Sequence, residues 1–144
     1  MRGMTDDDEN QNAEFKMQNS ELRKRDIQER AFQFACRIVR LHRNINRKRG
    51  TDRVAGDQLL RSGTSIGSNL EEANAAQSRA DFISKTRISL KEARESYYWL
   101  RLIEATDMLT AKDVHPLVEE ANQIVAILTT IVKNTTTSKS PTSS

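Results

Sequence analysis

Apolar positions along the chain recur at helical spacing, and no segment alternates with period two. Between about 22 and 48, Ile27, Ala31, Phe34, Ile38, Leu41 and Ile45 follow steps of four and three, which trace one face of a helix. Leu59, Gly63, Ile66, Leu70 and Ala73 draw the inward line of a second helix over about 52–76. Phe82, Ile83, Thr86, Leu90, Ala93, Tyr97 and Leu100 do the same for a third over about 79–107. Leu117, Ala121, Ile124, Leu128 and Ile131, widened by Val118, Val125 and Val132, mark a fourth over about 114–133. With short loops between them, the pattern predicts an all-α fold, an antiparallel up-down-up-down four-helix bundle in one domain over residues 20–133.

Punctuation residues agree with these elements. Gly50 fits the end of the first helix, and Thr51 or Asp52 can cap the start of the second. Ser78 with Asp81 three residues on makes a partial capping box for the third helix. Pro116 suits the first turn of the fourth, where its missing N–H costs little. Gly63 and Gly67 would each cost about 1 kcal/mol in a free helix. Their presence implies either a close approach of another element or a local kink. Residues 1–19, with Asp6, Asp7, Asp8 and Glu9, and the Ser/Thr-rich residues 134–144 hold too little apolar surface to offset ordering, so both termini are expected to be disordered.

Some apolar residues fall outside the core stripes. Phe32 and Val39 on the first helix, and Ile88, Trp99, Leu102 and Ile103 on the third, are expected to face outward. A patch of that kind predicts a homo-oligomer interface.

Composition narrows the chemistry. A hydrophobic fraction of 36% against 30% charged fits a bundle with a charged exterior. The single cysteine, Cys36, excludes an internal disulfide and a cysteine-based zinc site. No run reaches the ~20 apolar residues of a membrane span, and the acidic start is unlike a secretory signal, so a cytoplasmic location with no membrane partner is expected. His42 and His115 are the two histidines, and neither follows a glutamate by three, as a carboxylate-bridged di-metal bundle requires. No metal and no cofactor are expected. Serines without a reachable base make no activated nucleophile, so the chain is not expected to be an enzyme.

Charge is local. Net charge is +3, yet eleven Lys or Arg stand between Arg23 and Arg53 against Asp26, Glu29 and Asp52. Arg37, Arg40, Arg43, Arg47, Lys48, Arg49 and Arg53 form a candidate patch for RNA or DNA phosphates. No aromatic lies among them to stack on bases, so contacts would be to phosphate with little sequence readout. The other reading is a scaffold that docks an unidentified protein partner, the basic surface being incidental. There the acidic segment would act as adaptor or screen its own basic face. On the second helix Ser62, Ser65, Asn69 and Glu72 form a polar line, expected to be a seam fixing helix register with Ser89, Glu92 or Arg94 as partners.

The run Leu59-Leu60-Arg61-Ser62-Gly63-Thr64-Ser65-Ile66-Gly67-Ser68-Asn69-Leu70-Glu71-Glu72-Ala73, followed by Ser78-Arg79-Ala80-Asp81-Phe82 and Ser89-Leu90-Lys91-Glu92-Ala93-Arg94-Glu95, resembles the signature of a bacterial four-helix bundle family. Its members are also called 23S ribosomal RNA intervening-sequence proteins. The resemblance covers about 20–132. It implies an up-down bundle that assembles into a barrel-like homopentamer.

Overall fold

The computed structural model describes residue 3, residues 5–45 and residues 47–137. These form four helices: α1 (Asp6–Ile45), α2 (Thr51–Asn74), α3 (Arg79–Ala105) and α4 (Ala111–Thr137). Each packs on the next in chain order, and α4 closes the ring against α1. Cross-helix pairs set the directions. Gly56 faces Ile45 while Gly63 faces Ile38. Ser96 donates to Ser62 while Ser89 donates to the Ile66 carbonyl. His115 meets Glu104 while Arg79 reaches the Thr135 carbonyl. Arg40 shares a groove with Pro116, and Ile27 shares one with Ile131. In every pair one number rises as the other falls, so neighbouring helices run antiparallel.

The core lies where the predicted stripes converge. Phe34, Ile38, Leu59, Ile66, Leu100, Ile124 and Leu128 are buried there. Side chains of this size stabilise by roughly 1.5–3 kcal/mol each when removed from water. Ser62, Thr86, Ser89 and Ser96 are the buried polar residues, and each has a hydrogen-bond partner. Ser62 and Ser96 bond each other at 2.9 Å, joining the middle of α2 to α3.

Helix ends differ from the sequence reading where capping decides them. The first helix, expected over 22–48, begins at Asp6 and stops at Ile45. Its start is fixed by a reciprocal pair: the Asp8 N–H donates to Thr5 Oγ1 at 3.3 Å, and the Thr5 hydroxyl donates to Asp8 at 2.9 Å. Four acids in the first turn also suit the positive end of the helix dipole. Residues 6–18 are all exposed, so this part of α1 is an overhang with nothing packed against it. Expectations for residues 1, 2, 4 and 138–144 lie outside the described residues.

Gly50 proves to be the N-cap of α2 rather than the C-cap of α1, with φ of 70° and no side-chain cap bond from Thr51 or Asp52. α3 begins as expected, with Ser78 Oγ accepting from the Asp81 N–H at 3.0 Å. It ends in a pair of reversed bonds, Met108 N–H to the Ile103 carbonyl and Asp107 N–H to that of Glu104. Asp107 takes the left-handed conformation with φ of 57° that this ending needs. α4 starts at Ala111, earlier than expected, so Pro116 sits in its second turn. Its ring removes the N–H that would bond the Lys112 carbonyl.

Candidate nucleic-acid interface

The last turns of α1, the loop at 47–50 and the first turn of α2 carry the seven predicted cations. Arg40, Arg43, Arg47 and Arg49 are exposed and Arg37 is half-buried. Among the described residues none of these five is in an ion pair. Arg40 and Arg43 stand three residues apart in the last turns of α1, and Arg47 and Arg49 follow in the loop beyond its end. Arg37 turns toward α4, where it and Arg40 line a shallow groove with Lys112, Asp113 and Pro116. Lys112 is therefore a cation of this surface that spacing along α1 gave no means of finding, since a different helix supplies it.

The other two predicted cations are engaged within the fold. The Lys48 ammonium donates to the Met108 carbonyl and lies 3.6 Å from Asp52, tying the α1–α2 loop to the α3–α4 loop. Arg53 lies 4.0 Å from Asp57, which also meets His42 Nε2 at 2.8 Å.

Elsewhere, Arg30, Arg61 and His115 have carboxylate partners, whereas Arg87, Arg94 and Arg101 on α3 are in no ion pair among the described residues. Arg30 holds Glu120 and donates to Gln123 at 2.8 Å, and the Glu120 hydrogen bond raises its pKa. Arg61 bridges Glu95 and Glu92, its pKa raised first by the Glu95 hydrogen bond. The same bond holds the Glu95 carboxyl below its usual range. His115 sits between Glu104 at 2.9 Å and Glu119 at 3.2 Å, and the Glu104 bond raises its pKa. Among the described residues no group of three or more His, Cys, Asp and Glu is placed to hold a metal ion. No helix there is long and apolar enough to cross a membrane.

The polar line of α2 divides. Ser62 is buried and meets α3 through Ser96, not through the expected Ser89, Glu92 or Arg94. Ser65 and Asn69 bond carbonyls of their own helix, at 2.6 and 2.8 Å. Glu72 is exposed and pairs with Lys85 at 3.1 Å. A continuous buried seam is thus corrected to one serine pair plus Ser89, because successive positions of that line rotate away from the core.

The apolar residues outside the stripes also divide. Phe32 is 57% exposed and Ile88 40%, while Val39, Trp99 and Leu102 are half-buried. Ile103 is corrected to a core residue with no exposed surface. It follows Ser96 by seven and Leu100 by three, which places it on their inward face. Trp99 and Leu102 line an apolar groove with Met108 and the exposed Val54, and Tyr98 packs edge-on against Trp99 with ring centroids 5.3 Å apart. Periodicity does not reveal Val54, because it lies on the outer side of α2, in no stripe.

Comparison with known proteins points one way. The family model described as 23S rRNA-intervening sequence protein matches residues 23–130. A crystal structure of a protein of unknown function from the S23 ribosomal protein family of Bacteroides thetaiotaomicron is 39% identical, with a TM-score of 0.70. The similarity covers 77% of this chain and 98% of that one. No curated protein matches this chain. The overhang before residue 23 lies outside the family match.

Proposed function

Because the chain belongs to the family of 23S rRNA-intervening sequence proteins, we propose that it is a non-enzymatic, self-associating bundle that binds RNA or DNA phosphates through the basic end of α1. The observation that carries this reading is the local density of cations without a carboxylate: Arg37, Arg40, Arg43, Arg47 and Arg49 crowd one end of the molecule, and none of them is in an ion pair among the described residues. Unpaired guanidiniums keep their full charge for phosphate oxygens, and each phosphate they neutralise releases counterions. Lys112 widens the surface toward α4. Lys48 acts as a positioning residue for the loop, while Arg53 pairs with Asp57 along α2. The family's name refers to ribosomal RNA, which makes structured RNA the first ligand to try.

Self-association rests on Phe32 and Val39 of α1 and, as a second surface, on Val54 of α2 with Ile88, Trp99 and Leu102 of α3. Two different apolar flanks suit a ring of copies, five by the family resemblance. A ring presents several basic patches to one nucleic acid and multiplies modest affinity. The second reading is a protein-docking scaffold, favoured by the same apolar groove at Val54 and Trp99.

The test is binding of a structured RNA at ~50 mM salt by fluorescence polarisation. Arg40→Glu combined with Arg47→Glu should abolish it while circular dichroism stays unchanged. Undiminished binding by that variant, or none by the wild type, sinks the proposal.

A further inference from the structure

From Arg87 onward, α3 turns its acids toward its neighbours. Glu92 and Glu95 meet Arg61 of α2, and Glu104 meets His115 of α4. The cations of the same stretch stay on the outer side. Arg87, Lys91, Arg94 and Arg101 follow steps of four, three and seven, and all are exposed. Arg87, Arg94 and Arg101 are in no ion pair among the described residues. Lys91 lies in the field of Glu95, whose carboxylate Arg61 already holds. The Arg101 guanidinium rests 5.4 Å from the centre of the Tyr97 ring, a contact that aims it and leaves its charge uncompensated. The result is a cationic stripe about 21 Å long. Tyr98 falls within it, four residues after Arg94 and three before Arg101. Its ring is held edge-on by Trp99, yet the residue is 55% exposed.

Charges in a line suit a linear polyanion, and an exposed ring among them adds a stacking surface for a base. A duplex keeps its bases stacked on each other, so a free aromatic face favours a single strand. We propose that the outer face of α3 binds single-stranded RNA or DNA, with Arg87, Lys91, Arg94 and Arg101 on phosphates and Tyr98 against a base. The stripe lies about 90° around α3 from Trp99 and Leu102, which leaves their apolar groove separate. It is also distinct from the basic end of α1, because α3 packs on α2 and α4 and not on α1. The α1 patch has no aromatic among its cations, and the proposal does not rest on it.

A fluorescein-labelled oligoadenylate of about twelve nucleotides is titrated with the full-length protein at ~50 mM salt. Saturable binding is expected. Arg87→Ala with Arg94→Ala should weaken it at least about tenfold and flatten the log–log salt slope by roughly 0.7 for each phosphate released. Both arginines are exposed, so this variant keeps the fold should Tyr98→Ala disturb it. Tyr98→Ala should weaken binding at least about fivefold with the salt slope unchanged. The same α3 variants, made on top of Arg40→Ala with Arg47→Ala, should still lower single-strand binding. Structured-RNA binding reads the α1 patch and single-strand binding reads the stripe, so either can fail alone. Three results overturn the proposal: no binding of the single strand, undiminished binding by the arginine variant, or inorganic polyphosphate competing as well as the oligonucleotide, phosphate for phosphate.

Discussion

Single residues decide how closely α1 and α2 approach, and three glycines show how finely. A methyl added at Gly56 would sit 2.6 Å from Ile45 Cγ2 and 3.2 Å from its Cβ. At Gly63 it would meet Ile38 at 3.0 and 3.1 Å. At Gly67 the nearest atoms belong to Ala31, at an ordinary 3.7 Å. The facing isoleucines are β-branched and stiff at χ1, so they cannot swing clear. Alanine at Gly56 or Gly63 should therefore destabilise by about 1–3 kcal/mol through overpacking, more than the propensity gain of about 1 kcal/mol returns. Gly67→Ala should instead stabilise by up to about 1 kcal/mol. Urea unfolding of the three variants checks this, and equal effects at Gly56 and Gly67 would contradict it. Spacing alone poses the choice between close approach and kink at Gly63 and Gly67. It has no means of separating the two sites, because the answer depends on whether Ile38 or Ala31 stands opposite.

At the scale of elements, apolar periodicity makes all four helices legible, since burying one stripe per helix is what the bundle demands. Boundaries are less so. The N-terminal stretch of α1 reads as disordered for lack of apolar surface, and it does bury none; Thr5 and Asp8 cap it locally without any need for burial. Ile103 reads as outward-facing because it adjoins Trp99 and Leu102, which turn outward while it follows Leu100 inward. What remains on the outer side of α2 and α3 is Val54, Ile88, Trp99 and Leu102. Placing a charge there, as Trp99→Glu, should lower the particle mass in light scattering to that of one chain. A variant that keeps the wild-type mass would remove this flank from the proposed assembly.

Over the whole molecule, charge is bipolar along α1. Asp8 and Arg40 are separated by thirty-two residues of continuous helix, about 48 Å, so the acidic start cannot fold back to screen the arginines of its own chain. The basic cluster is legible from sequence as a run of residue types. Which of its members are engaged is only partly so: Asp52 and Asp57 stand four residues after Lys48 and Arg53, but the Met108 carbonyl that holds Lys48 arrives from the α3–α4 loop. The central claim is that these unpaired arginines meet phosphates, and its most direct measure is the slope of log binding constant against log salt for a duplex. Replacing Arg40 and Arg47 by alanine should flatten that slope by roughly 0.9 for each phosphate that is no longer neutralised. An identical slope in wild type and variant would contradict the account.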